Sequence, residues 1–251
     1  MKILLTNDDG IGAKGLQVLY SELAKFADVL VVAPESEQSA VGHAITFLTP
    51  LRIKEFSLNG NFFGHAITGT PADSVKIGVQ SIAKKPIDLV ISGINLGANV
   101  STNIIYSGTV SAATEGTLLG YPSIAVSLDT FVKPDFQPAA RFTAKLAKYI
   151  YENGLPKGSY LNVNVPHLPE DKIKGVAVTK MGKSIYRDKF HKRKDPRGVT
   201  YYWQGGDMIY DEDEAEDADN RLLKKGMISV TPIHYDLTDY GFFEEMKGWK
   251  F

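Results

Sequence analysis

Ile3-Leu4-Leu5-Thr6-Asn7-Asp8-Asp9-Gly10 opens the chain with an uninterrupted apolar run that ends in two acids and a glycine. A short run of this kind, bounded by turn residues, reads as a strand buried on both faces. The pattern recurs at Val29 to Ala33, Leu89 to Ser92 and Ile124 to Ser127. Between these runs lie helix-period stretches. Leu16, Leu19, Leu23 and Phe26 are spaced by three and four, which puts them on one helical face. Strands that are apolar throughout and alternate with helices predict an α/β fold, doubly wound around a mostly parallel sheet. In that architecture ligands bind at the carboxyl ends of the strands, so Asn7 to Gly10 falls where chemistry is expected.

Working outward, Leu51 to Phe56 and Phe62 to Thr68 alternate apolar with polar residues and flank Ser57-Leu58-Asn59-Gly60-Asn61. Asn-Gly between such segments predicts an inserted antiparallel hairpin. Thr70-Pro71-Ala72-Asp73 follows, with a capping threonine, proline at the first helical position and an acid in the first turn, and predicts a helix start. From Lys180 to Arg197 basic residues crowd together, Tyr201-Tyr202-Trp203 follow, and Asp211-Glu212-Asp213-Glu214, Glu216, Asp217 and Asp219 reverse the sign. Two solvated segments of opposite charge are a better reading than a nucleic-acid site, because the acids offset the local field. The segment reads as an extended arm that packs on another subunit, since a long hairpin cannot bury itself alone. Met227 to Ile233 then reads as a strand rejoining the sheet. The expected organisation is a single domain over 1–251, with a core of about 1–179 plus 227–251 and an arm of about 180–226.

The 251 residues carry a formal net charge of −1, 43% hydrophobic and 23% charged residues, and no cysteine. Ordinary globular usage argues against disorder and disulfide scaffolds. Without cysteine, thiolate nucleophiles and metal-thiolate sites are excluded, and near-neutral charge gives no general attraction to nucleic acid duplexes or membranes. No basic leader opens the sequence and no apolar stretch reaches the roughly 18 residues of a membrane span, so a cytoplasmic protein is expected.

Asp8 and Asp9 are adjacent carboxylates that repel unless a proton or cation intervenes. A divalent ion would use both as ligands; the alternative is that one of them caps the helix near Gly12. The loop Glu35 to His43 follows the second strand, and Ser92-Gly93-Ile94-Asn95-Leu96-Gly97-Ala98-Asn99 follows the third apolar run with two glycines and two amides able to coordinate or orient a ligand. Ser107-Gly108-Thr109 opens the helix that continues through Glu115; its free N–H groups form an anion site, or its serine is an ordinary N-cap. A cation beside an anion-binding helix start is the pairing that polarises a phosphate group.

Seven segments in sequence order resemble the SurE family of stationary-phase survival proteins, which act as 5′-nucleotidases. They are Leu5 to Gly10, Val32-Ala33-Pro34 with Ser39, Gly69 to Asp73, Ser92 to Asn95, Tyr106 to Val110, Asn162 to Pro166 and Val230-Thr231-Pro232. The resemblance implies a Rossmann-like domain with a C-terminal arm exchanged between subunits in a homodimer or homotetramer. It also implies hydrolysis of nucleoside monophosphates with one divalent metal ion. On this chain it makes Asp8, Asp9, Ser39 and Asn95 the metal ligands, with Asp8 and Asp9 catalytic. Asn99, Ser107, Gly108 and Thr109 become phosphate binders. The family often has Gly-Pro-Asn where this chain has Gly97-Ala98-Asn99, and His43 reads as a structural histidine rather than a general acid. The ligand set contains hard oxygens alone and favours Mg²⁺ or Mn²⁺. Two other readings are weaker. A receiver-like Mg²⁺ signalling module needs a phosphoacceptor aspartate that Ile91 to Asn95 does not offer. A dinucleotide oxidoreductase needs G-x-G-x-x-G after the first strand. A non-catalytic nucleotide-binding module remains the alternative.

Overall fold

The computed structural model describes residues 1–209, 211 and 213–250, so Glu212 of the acidic run and Phe251 lie outside the described residues. In chain order the elements are β1 (Lys2–Thr6), α1 (Lys14–Leu23), β2 (Asp28–Pro34), β3 (Ile53–Leu58), β4 (Asn61–Ile67), α2 (Pro71–Ile77), β5 (Leu89–Leu96), α3 (Gly108–Leu118), β6 (Ser123–Asp129), α4 (Gln137–Asn153), β7 (Ser159–Pro166), β8 (Val176–Val178), β9 (Ile185–Lys194), β10 (Thr200–Ile209), α5 (Asp219–Lys224), β11 (Ile228–His234) and α6 (Tyr240–Met246). Nine strands form one sheet in the order β3-β4-β2-β1-β5-β6-β7-β11-β8. From β4 to β7 every neighbouring pair is parallel. β3 and β11 pair antiparallel with their neighbours β4 and β7.

The apolar run of β1 owes its continuity to layers on both sides. Ile3 and Leu5 belong to one core cluster with Leu16, Leu19 and Leu23 of α1 and Ala139 and Ala140 of α4. Leu4 faces the other way, into a cluster with Val75 of α2 and Ala112 of α3. All three are fully buried, each contributing roughly 1.5–3 kcal/mol relative to exposure. Alternation along one strand thus loads two cores. β1 also sits between β2 and β5, where the strand order turns back, and this topological switch point opens a crevice at the strand ends.

Local details follow the expected chemistry, with informative differences. Asn59 and Gly60 take positive φ values of 52° and 80° in the tight turn between β3 and β4. Thr70 forms a full capping box with Asp73 at the start of α2. β5 runs on to Leu96 rather than ending at Ser92, and its pairing with β6 shifts register between Ser92 and Asn95. That irregularity re-aims the end of the strand. Phe26 lies beyond α1 in the following turn, yet packs against the α1/α4 core.

The arm is a two-stranded hairpin of β9 and β10, separate from the main sheet. Every residue of β9 is exposed, and α6 contains no buried residue. Of the acids that follow β10, Asp211, Asp213 and Glu216 are exposed and Asp217 is half-buried, whereas Glu214 and Asp219 are buried, which corrects the solvated reading for those two. Asp219 is fully buried and accepts hydrogen bonds from the backbone N–H groups of Ser101 (2.9 Å), Gly182 (3.1 Å) and Asn220 (2.7 Å). Glu214 is also buried and accepts from the Lys183 N–H. These carboxylates satisfy backbone donors where the arm leaves the core. Their order in sequence gave the sign change but not its location.

Candidate active site

Asp8 and Asp9 lie just past β1, at the switch point. Asn7 closes the turn by donating from Nδ2 to the Gly10 carbonyl at 2.9 Å. The N-cap of α1 is Ala13, without a side-chain cap, so neither aspartate is used to cap the helix. Both carboxylates remain for the crevice. Asp8 is buried, and its Oδ1 accepts the hydroxyl proton of Thr109. Asp9 is half-buried, and its Oδ2 accepts from the Leu96 N–H at 3.3 Å. The first strand is thereby tied to the ends of β5 and α3.

Burial pushes the Asp8 carboxyl above its ordinary value, opposed by the Thr109 hydroxyl and nearby N–H groups and reinforced by Glu37. For Asp9, burial acts first and the Asp8 charge second; the Leu96 N–H opposes them, Glu37 adds to them, and the carboxyl is pushed up to about 7. The charges acting on the pair are negative, a configuration that a bound cation would relieve.

A cavity of about 420 Å³ brings together Asp8, Asp9, Ser39, Asn95, Asn99 and Ser107, with Glu37, Gly97, Tyr106 and Phe131 also in its walls. Ser39 is carried by the loop after β2, which is tied to the first strand through Gln38 N–H donating to the Asp8 carbonyl at 2.8 Å. Its hydroxyl donates to Glu37, leaving oxygen lone pairs free. Asn95 donates from Nδ2 to the Gly97 carbonyl at 2.7 Å, which leaves Oδ1 as its ligating atom. Among the described residues no group of three or more His, Asp or Glu side chains is arranged to hold a metal ion. A cation here would complete its shell with the neutral oxygens of Ser39 and Asn95. Hard oxygen donors of this kind fit a divalent ion of the magnesium class.

Ser107 is both cavity wall and N-cap: its Oγ accepts from the Val110 N–H at 3.1 Å. Gly108 lies against Asp8, where a Cβ would stand 2.8 Å from the Asp8 Cβ; a side chain there would force the helix start away from the carboxylate. Thr109 is fully buried and directs its hydroxyl to Asp8 rather than into the cavity.

Asn99 is clamped by amides of β7. Asn162 and Asn164 donate from Nδ2 to its carbonyl at 2.8 and 3.0 Å, and its N–H donates to Asn164 Oδ1 at 2.8 Å. Its own Nδ2 donates to Ser127 Oγ at 2.9 Å. The supporting role of Asn162 and Asn164 was missed in the sequence. Two amides at i and i+2 within an apolar strand were the available signal, because buried amides on one face require partners. His43 is joined at 2.8 Å to Glu115 of α3, whose other oxygen receives Lys76 of α2 at 2.6 Å. It does not line the cavity.

The family model described as "Survival protein SurE" matches residues 3–188. The protein named 5′-nucleotidase SurE of Syntrophobacter fumaroxidans is 53% identical over 250 residues, covering 99% of each chain. That of Syntrophus aciditrophicus is 53% identical over 248 residues, covering 99% of this chain and 93% of the relative. The crystal structure of the SurE protein from Aquifex aeolicus superposes with a TM-score of 0.85 at 38% identity, covering 98% of both chains. Fold, switch-point acids and likeness over nearly the full length agree, and the chain belongs to the SurE family.

Proposed function

We propose that this chain is a divalent-metal-dependent phosphatase that hydrolyses nucleoside 5′-monophosphates to nucleoside and phosphate, the activity its relatives' names give to those proteins. The observation that carries the reading is the buried Asp8–Asp9 pair sharing one cavity with Ser107 at the start of α3. Asp8, Asp9, Ser39 and Asn95 would hold one Mg²⁺ or Mn²⁺ ion. When bound, such an ion polarises a phosphoryl oxygen and makes coordinated water more acidic.

The chain's own residues supply the rest. Ser107 and the N–H of Gly108 at the start of α3 receive phosphate oxygens, favoured by the positive end of the α3 dipole. Asn99, its backbone fixed by β7, gives the phosphate a rigid floor that needs no reorganisation during reaction. Thr109 acts through Asp8, holding one carboxylate oxygen in a single orientation. Asp9 is the more accessible acid, and with Oδ2 committed to Leu96 its Oδ1 orients the attacking water.

The test is inorganic phosphate release from AMP and GMP with Mn²⁺ or Mg²⁺, repeated with chelator. Turnover is expected to vanish on chelation and return with metal. Asp8→Asn and Asp9→Asn are each expected to lower it beyond the roughly 10- to 100-fold that loss of a supporting partner costs, with an unchanged circular dichroism spectrum. Absence of turnover at saturating metal favours a non-catalytic binding protein, and undiminished turnover in chelator removes the metal from the reading. The chain is further proposed to act in the cytoplasm as a homodimer or homotetramer through its arm, supported by the wholly exposed β9. Among the described residues no helix is long and apolar enough to cross a membrane.

A further inference from the structure

The crevice holds more than a phosphate requires. Its volume of about 420 Å³ falls in the range of sites for whole organic ligands, roughly 300–1,000 Å³. Its wall also contains two largely exposed aromatic side chains: Phe131 is 77% exposed and Tyr106 61% exposed.

Phe131 is held in place despite that exposure. It occupies a tight turn after β6 in which Thr130 Oγ1 donates to the Val132 carbonyl at 3.0 Å and accepts from the Val132 N–H at 3.1 Å. Its ring lies on Gly97, where a Cβ would stand 2.5 Å from the ring atoms Cε1 and Cζ. Gly97 has φ +104°, donates its N–H to the Leu128 carbonyl at 2.9 Å and accepts from Asn95 Nδ2. One residue therefore seats the ring and orients the Asn95 amide. An aromatic and a polar wall residue of the cavity thus rest on the same backbone unit.

We propose that Phe131 is the platform on which the base of the substrate stacks, so that the site selects phosphomonoesters bearing a nucleobase over base-free sugar phosphates. This rests on the nucleotidase reading and adds to it the element that recognises the nucleoside half. A flat hydrocarbon ring offers no hydrogen-bond code, so the preference is for any base rather than for one.

The experiment compares kcat/KM for AMP with that for ribose 5-phosphate in wild type, Phe131→Ala and Phe131→Tyr, together with titration of each protein with adenosine, which carries no phosphate. Loss of one stacking ring is expected to lower the AMP to ribose 5-phosphate ratio about tenfold in Phe131→Ala. The adenosine dissociation constant should rise by a similar factor, and Phe131→Tyr should restore both. A ratio within about twofold of wild type, or adenosine binding unaffected by the alanine, overturns the platform. Should wild type hydrolyse neither phosphate ester, the nucleotidase reading fails and the adenosine titration alone decides whether Phe131 stacks a base.

Discussion

Glu115 shows how a single buried carboxylate can join three segments. It lies on α3, eight residues after the Ser107 cap, and receives His43 from the loop that carries Ser39 and Lys76 from α2. Burial alone would raise its carboxyl, but the hydrogen bonds and charges of His43 and Lys76 outweigh that and hold it below the ordinary 4.5. A depressed carboxylate contributes stability that is complete above the unfolded value and is lost as the pH falls through the folded one. The difference in unfolding free energy between wild type and Glu115→Gln is therefore expected to shrink as the pH falls below about 4.5. Urea titrations at several pH values check this; a difference that stays constant into the acid range refutes it. The histidine was read in the sequence as structural rather than as a general acid, and its place beside Glu115, outside the cavity, gives it a tether's geometry. Its partner was not legible, because nothing in a sequence indicates which carboxylate 72 positions away will face it.

The elements divide by how local their causes are. β1 and the turn at Asn59-Gly60 were readable because burial on both faces and positive φ each leave a mark on the residues concerned. Thr70-Pro71-Ala72-Asp73 is similar, and its cap is more loaded than sequence implies: Thr70 Oγ1 accepts from the Asp73 N–H at 3.1 Å and donates to the Ala44 carbonyl at 2.7 Å. Thr70→Ala removes both bonds and is expected to cost about 1–2 kcal/mol, measured as a lowered urea midpoint with unchanged slope. Features set by distant partners stayed hidden. The extension of β5 to Leu96 depends on its irregular pairing with β6, and the Asn162/Asn164 clamp on a loop 63 and 65 residues earlier in the chain. The candidate ligands on strand ends were visible from motif and position. The hydrogen bond from Thr109 to Asp8 was not, since its two partners stand 101 positions apart.

For the whole molecule, the arm stands apart from the main sheet among the described residues. Its strands pair with each other alone, and Phe190, Tyr202 and Trp203 stand exposed beside the basic residues. Removing residues 185–209 and closing the gap with a short linker is expected to leave the nine-stranded sheet folded while light scattering reports the mass of a single chain. An undiminished assembly would locate the subunit contact elsewhere. The root of the arm is a different matter, because Asp219 binds Ser101 and Gly182 together and must be retained. The crevice itself is stitched across long separations, Asp8 to Thr109 over 101 positions and Asp9 to Leu96 over 87. An unfolded chain cannot present such a constellation. Any ligand seated there consequently acts as a thermodynamic ratchet: at a hundred times its dissociation constant it adds about 2.7 kcal/mol to the native state, so thermal denaturation would register occupancy even where no product is formed.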